Sequence, residues 1–135
     1  MLFVLAGCAG QELSRENPVP VPAEYVTGLD ANATWRALMR FASRNGYHFV
    51  KLESEKGIME ISAGDIFDGD YSSYYLHYNL VVVGLAQGTK VVVDTGFFDN
   101  NGREVEFQRH MEKMKENKDR QILQEIKKFL ENGQK

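Results

Sequence analysis

The sequence predicts one α+β domain: an antiparallel four- to five-stranded meander sheet with an N-terminal and a C-terminal helix on one face, in the order α-β-β-β-β-α. Three observations predict it. Apolar residues recur at helical spacing near residues 30–45 and again in the last stretch of the chain. Between them, apolar and polar residues alternate with the period of a strand. Turn-forming residues divide that region at hairpin distances, and short hairpin links force antiparallel pairing. Both helices must bury their apolar stripes, so they share one sheet face. The chain has 135 residues, and the domain is placed at 29–135, enough for a single modest core.

The first helix is expected over Asp30 to Asn45. Trp35, Leu38, Met39 and Ala42 fall at i, i+3, i+4 and i+7 and form its buried stripe, which makes Trp35 a core anchor. Asp30 or Asn32 caps its start, and Gly46 suits the left-handed residue after its end. Tyr47 to Leu52 and Ile58 to Ala63 then read as a hairpin around Ser54-Glu55-Lys56-Gly57. Pairing Glu53 with Ile58 sets Leu52 against Met59 and Val50 against Ile61 on one face, and Lys51 against Glu60 on the other. A slip of one residue would mix those faces. His48 is expected on the Val50–Leu52 face as a partly buried histidine.

A longer hairpin follows, Tyr74 to Leu85 and Lys90 to Phe98, closed by a two-residue Gln87-Gly88 turn that pairs Ala86 with Thr89 and Val81 with Asp94. One face then carries Leu76, Tyr78, Leu80, Val82, Val91, Val93, Thr95 and Phe97, the better core. The other carries Tyr75, His77, Asn79, Val81, Val83, Val92, Asp94, Gly96 and Phe98. Asp99-Asn100-Asn101-Gly102 is a turn leading toward a short strand through Val105. The C-terminal helix buries Ile122, Ile126, Phe129 and Leu130. Met111 and Met114 would extend that stripe, but Lys118 interrupts it, so a break is expected near Asn117-Lys118-Asp119 with Asp119 capping a final helix. This order resembles the helix-grip-type domains of a lipoprotein component of the β-barrel assembly machinery. The resemblance covers about the last hundred residues, implies a helix-grip-like architecture, and carries no motif from which activity could be transferred.

The N-terminus points to location. Met1-Leu2-Phe3-Val4-Leu5-Ala6 is apolar and ends in small residues, as secretory signals do. Leu5-Ala6-Gly7-Cys8 resembles the lipobox of bacterial lipoproteins at all of its positions, and Cys8 is the only cysteine. The resemblance implies a lipid anchor: the Cys8 thiol takes a diacylglyceryl group, the chain is cut before it, and the new amine receives a palmitate-type acyl chain. Several acyl chains on one residue anchor stably where one would not. Ala9, where an aspartate would retain the protein at the inner membrane, implies an outer-membrane anchor facing the periplasm. The apolar stretch is short and lacks a basic n-region, so 1–7 is read as a truncated signal remnant. Residues 8–28, with Asn17-Pro18-Val19-Pro20-Val21-Pro22, read as the lipidated cysteine and an extended proline-rich tether.

The rest narrows the function. A net charge of −3 gives no electrostatic reason to expect nucleic acid. Asp65, Asp68 and Asp70 are the residues that would hold calcium if any did. Their spacing is not that of an EF-hand, so no metal is expected. His77 and Asp94 lie too far apart in the expected register for an acid–base couple, with no nucleophile beside them. No cofactor is expected, and the chain reads as non-enzymatic. The mixed sheet face bearing Tyr75, His77, Val81, Val83, Val92, Asp94 and Phe98 is the candidate surface for an envelope protein partner or for self-association. The alternative is a carrier of a small apolar ligand or lipid, in a pocket between sheet and C-terminal helix lined by Tyr78, Leu80, Val93, Phe97, Met111 and Met114.

Overall fold

The computed structural model describes residues 22–64, 66–68 and 73–133. In chain order the elements are β1 (Ala23–Thr27), α1 (Ala31–Arg44), β2 (His48–Glu53), β3 (Ile58–Ser62), β4 (Ile66–Asp68), β5 (Ser73–Gly84), β6 (Thr89–Phe98) and, after a 3₁₀ turn at Arg109–Met111, α2 (Glu112–Glu131). The sheet runs β1-β6-β5-β3-β2, with the short β4 on the same edge of β5 as β3. Every pairing is antiparallel. The expected α+β fold therefore stands, with two strands added to it. β4 lies in the aspartate-rich loop. β1 takes residues assigned to the tether, so the sheet already includes Ala23–Thr27, ahead of the expected domain start at 29; its register sets Glu24 beside Val92 and Val26 beside Lys90.

Asp30 caps α1, its Oδ1 accepting from the Ala33 amide at 2.7 Å, and Gly46 takes φ +78° after the helix. Removing the cap by Asp30→Ala is expected to cost about 1 kcal/mol, read as a lower urea midpoint with an unchanged slope. The buried face of α1 is Thr34, Ala37, Leu38, Phe41 and Ala42. Its centre is rotated away from the expected stripe, because Phe41 fills the space against Tyr47 and Phe129. Trp35 and Met39 consequently sit on the flank, half-buried against the core, and Trp35 is no central anchor.

α2 packs over β1 and β6, and α1 over β5 with lighter contact to β2. Both helices touch each other and enclose Met59, Ile61, Leu76, Tyr78, Leu80, Val91, Val93 and Phe97. The expected break in α2 is absent: the helix is continuous from Glu112 to Glu131, and Asp119 caps nothing. Lys115 and Asp119, one turn apart, are instead buried together.

Two registers differ from expectation. In the β2–β3 hairpin, Glu53–Ile58, Leu52–Met59 and Lys51–Glu60 pair as expected, but a bulge at Val50 puts Phe49, not Val50, opposite Ile61. The same bulge returns His48 to the outer side opposite Ser62, exposed rather than partly buried. In the β5–β6 hairpin, Gly84 pairs with Thr89 and Asn79 with Asp94. The loop is four residues, Leu85–Gly88, closed by the Leu85 amide on the Gly88 carbonyl at 3.1 Å. The register is thus shifted by two from the expected one, which leaves every side chain on its expected face.

Candidate functional site: the open sheet face

The outer face follows row by row from the pairings. Glu24, Val92, Val81, Ile58 and Glu53 cross the sheet from β1 to β2. Toward the β5–β6 loop, Val26, Lys90 and Val83 make the next row. In the other direction come Asp94, Asn79, Glu60 and Lys51, then Gly96 and His77, then Phe98, Tyr75 and Ile66. All seven residues expected on this face are on it. The face divides into a branched-aliphatic patch (Val26, Val81, Val83, Val92, Ile58) and an aromatic patch (Tyr75, Phe98, Ile66), with a polar band between them. Val26, Val83, Tyr75 and Ile66 are exposed, and no element among the described residues packs on this side.

The polar band is built by specific contacts. His77 Nδ1 lies 2.5 Å from Glu60 Oε2, and its ring stacks on Phe98 at 4.1 Å between centroids. Phe98 can lie flat because Gly96 is beneath it; a Cβ at Gly96 would stand 3.3 Å from the Phe98 ring. Lys51 stands opposite Glu60 as expected, and its ammonium makes an ion pair with Glu53 at 2.9 Å. That contact raises the Lys51 ammonium pKa and lowers the Glu53 carboxyl, hydrogen bonding being the main cause for both. His77 and Asp94 do not form a couple, since each is engaged by a different partner.

Asp94 turns instead toward a notch in the free edge of β6. Among the described residues β1 pairs as far as Val93, and the chain returns to this edge at Val105, whose amide donates to the Phe97 carbonyl at 2.7 Å. Between them the Thr95 amide would be an unpaired edge donor. Asp119 fills the gap: its Oδ1 accepts from the Thr95 amide at 2.8 Å and from its hydroxyl at 2.6 Å. Lys115 Nζ donates to Asp119 Oδ2 at 2.5 Å and reaches Asp94 Oδ1 at 2.7 Å. Burial raises the Asp119 carboxyl pKa from its ordinary value, against the opposing pull of Lys115 and Thr95. Sequence reasoning missed this network; the signal available was Lys115 and Asp119 at i and i+4 on the methionine side of the helix.

Cys8, Asp65 and Asp70 and the side chain of Asp68 lie outside the described residues. Among the described residues no group of three or more His, Cys, Asp or Glu gathers in metal-binding geometry. None of the described helices is long and apolar enough to cross a membrane. Of the six side chains expected to line a ligand pocket, Tyr78, Leu80, Val93, Phe97 and Met111 are buried members of the core and Met114 packs half-buried against it. No protein-family model matches the chain, and no curated protein matches it either.

Proposed function

We propose that this chain is a lipid-anchored protein of the bacterial cell envelope, held to the outer membrane through Cys8 and facing the periplasm. Its domain binds another protein without catalysing a reaction, through the open sheet face. The observation that carries the reading is the uncovered aliphatic patch. Val81, Val83, Val92 and Ile58 adjoin one another across β6, β5 and β3. Lys90 stands between Val83 and Val26 and pairs with Glu24 at 3.8 Å, and Glu53 closes the other side, an apolar centre with charged neighbours as in a protein-binding surface. The lipobox residues Leu5-Ala6-Gly7-Cys8 support the location.

Two measurements test it in the native membrane. Intact mass analysis of the extracted protein is expected to find a chain beginning at Cys8 with added acyl mass; an unmodified thiol would remove the anchor. A photo-crosslinking residue at position 83 is expected to capture one discrete partner, and capture is expected to be lost on adding Val81→Asp. A crosslinker at Gln124, on the exposed side of α2, serves as the control. Equal yields from both positions would discard the sheet face as the binding surface.

A further inference from the structure

A second surface lies on the helical side of the sheet. The end strand of the sheet farthest from α2 is β2, over which α1 packs only lightly. Its inner side chains Phe49 and Leu52 pair with the fully buried Ile61 and Met59, yet Phe49 is 36% and Leu52 44% exposed. The flank of α1 turned away from α2 carries Trp35 and Met39, both half-buried against the core. Trp35 and the β2–β3 turn from Ser54 to Gly57 line a groove of about 340 Å³ at one end of this strip.

Charge distinguishes the possible occupants. α1 contains no acidic residue and exposes Arg36, Arg40 and Arg44 at successive i+4 positions, in a chain whose net charge is −3. Arg44 lies over the Phe129 ring at 5.7 Å. Arg36 and Arg40 have no ion pair among the described residues. A two-fold partner presenting the same α1 face would add three more arginines and no acid from that helix. Strand addition to the β2 edge is opposed by the Val50 bulge and by Lys51, both of which protect an edge from pairing. A helix is the element that completes this layer, and its polar side must carry acids.

We infer that the strip of Trp35, Met39, Phe49 and Leu52 seats an amphipathic helix of a partner protein, with acidic residues of that helix meeting Arg36 and Arg40. This surface is on the opposite side of the sheet from the aliphatic patch and stands independently of it.

Trp35 is the only tryptophan in the chain, so its fluorescence reports on the strip directly. The probe is a synthetic helix with leucines at i, i+3, i+4 and i+7 and glutamates on its remaining face; its control has every glutamate replaced by lysine. The glutamate helix is expected to shift Trp35 emission to the blue with saturation, and the lysine helix to leave it in place. Leu52→Asp is expected to weaken binding by about tenfold or more, at unchanged circular dichroism because Leu52 is exposed. Arg36→Glu with Arg40→Glu, on the solvent side of α1, is expected to reverse the preference between the two helices. The inference fails if both helices act alike or neither acts, or if these substitutions leave binding unchanged. It fails also if the blue shift follows protein concentration alone, which would indicate a second copy, or if vesicles of anionic phospholipid produce the larger response.

Discussion

Replacing Lys115 with methionine is expected to destabilise the domain by about 3–5 kcal/mol, the range for removing one partner of a buried ion pair. Lys115 and Asp119 are 4% and 1% exposed, so the usual discount for a solvated surface pair does not apply. Methionine keeps the length and packing of the side chain, and the loss falls on the charge it abandons. Asp119 would remain committed to the Thr95 amide and hydroxyl while its second oxygen lost the Lys115 ammonium. Asp119→Asn is expected to cost less, because an amide oxygen still accepts from Thr95 and Lys115 keeps Asp94. The double variant should be less unstable than the two single losses summed, and urea unfolding of all four proteins gives that coupling directly.

The same site has a pH signature. Burial raises the Asp119 pKa above its ordinary value. A carboxyl whose folded pKa exceeds its unfolded one binds its proton more tightly in the fold. Its contribution therefore favours the folded state most below the unfolded pKa, and is lost as pH rises through the folded value. Without Lys115 the ionised form is disfavoured further. The Lys115→Met deficit should be largest near neutral pH and shrink as the solution is acidified through the carboxylate range. A deficit independent of pH would mean that Asp119 is not the group left stranded.

This network also marks the limit of what the sequence alone conveys. A charged residue within an apolar stripe argues for a helix break when only the helix is considered. The break is absent because the buried stripe runs through Lys115, Asp119, Ile122 and Ile126 and leaves Lys118 on its half-exposed flank. Lys115 and Asp119 neutralise each other there, and Asp119 accepts from the Thr95 amide of β6, a partner supplied by a strand distant in sequence. The two hairpins fail and succeed for related reasons. Side chains alternate with period two whatever the loop, so the partition of β5 and β6 into inner and outer faces was legible, and with it the seven residues of the candidate surface. The pairing was not, because it depends on whether the turn begins at Gln87 or takes in Leu85. β1 went unread because Pro18, Pro20 and Pro22 dominate their neighbourhood, although Glu24-Tyr25-Val26-Thr27 alternates as an edge strand does. Missing β1 meant missing Val26 and the width of the aliphatic patch. The i, i+4 spacing of Trp35 and Met39 marks a stripe that omits Phe41, whose ring against Tyr47 and Phe129 sets the orientation of α1.

Two glycine substitutions separate backbone strain from steric exclusion, and the larger effect is expected at Gly57. Both Gly46 and Gly57 hold positive φ, +78° and +69°, so alanine at either position carries the left-handed penalty of about 1 kcal/mol. At Gly46 nothing lies within 4 Å of an added Cβ, and the cost of Gly46→Ala should stop there. At Gly57 the added atom would stand only 2.4 Å from the backbone oxygen of Val82. That oxygen cannot move away alone, because the Val82 amide donates to the Gly57 carbonyl at 2.8 Å and β5 pairs on its other side with β6. Gly57→Ala must therefore part the β2–β3 turn from the centre of the sheet, with an expected loss of about 3 kcal/mol or more. Thermal unfolding of the two variants should differ by several degrees at the least. Equal melting temperatures would mean that the turn yields freely where it crosses β5, and that the β2–β3 hairpin is held by its own turn and not by the sheet.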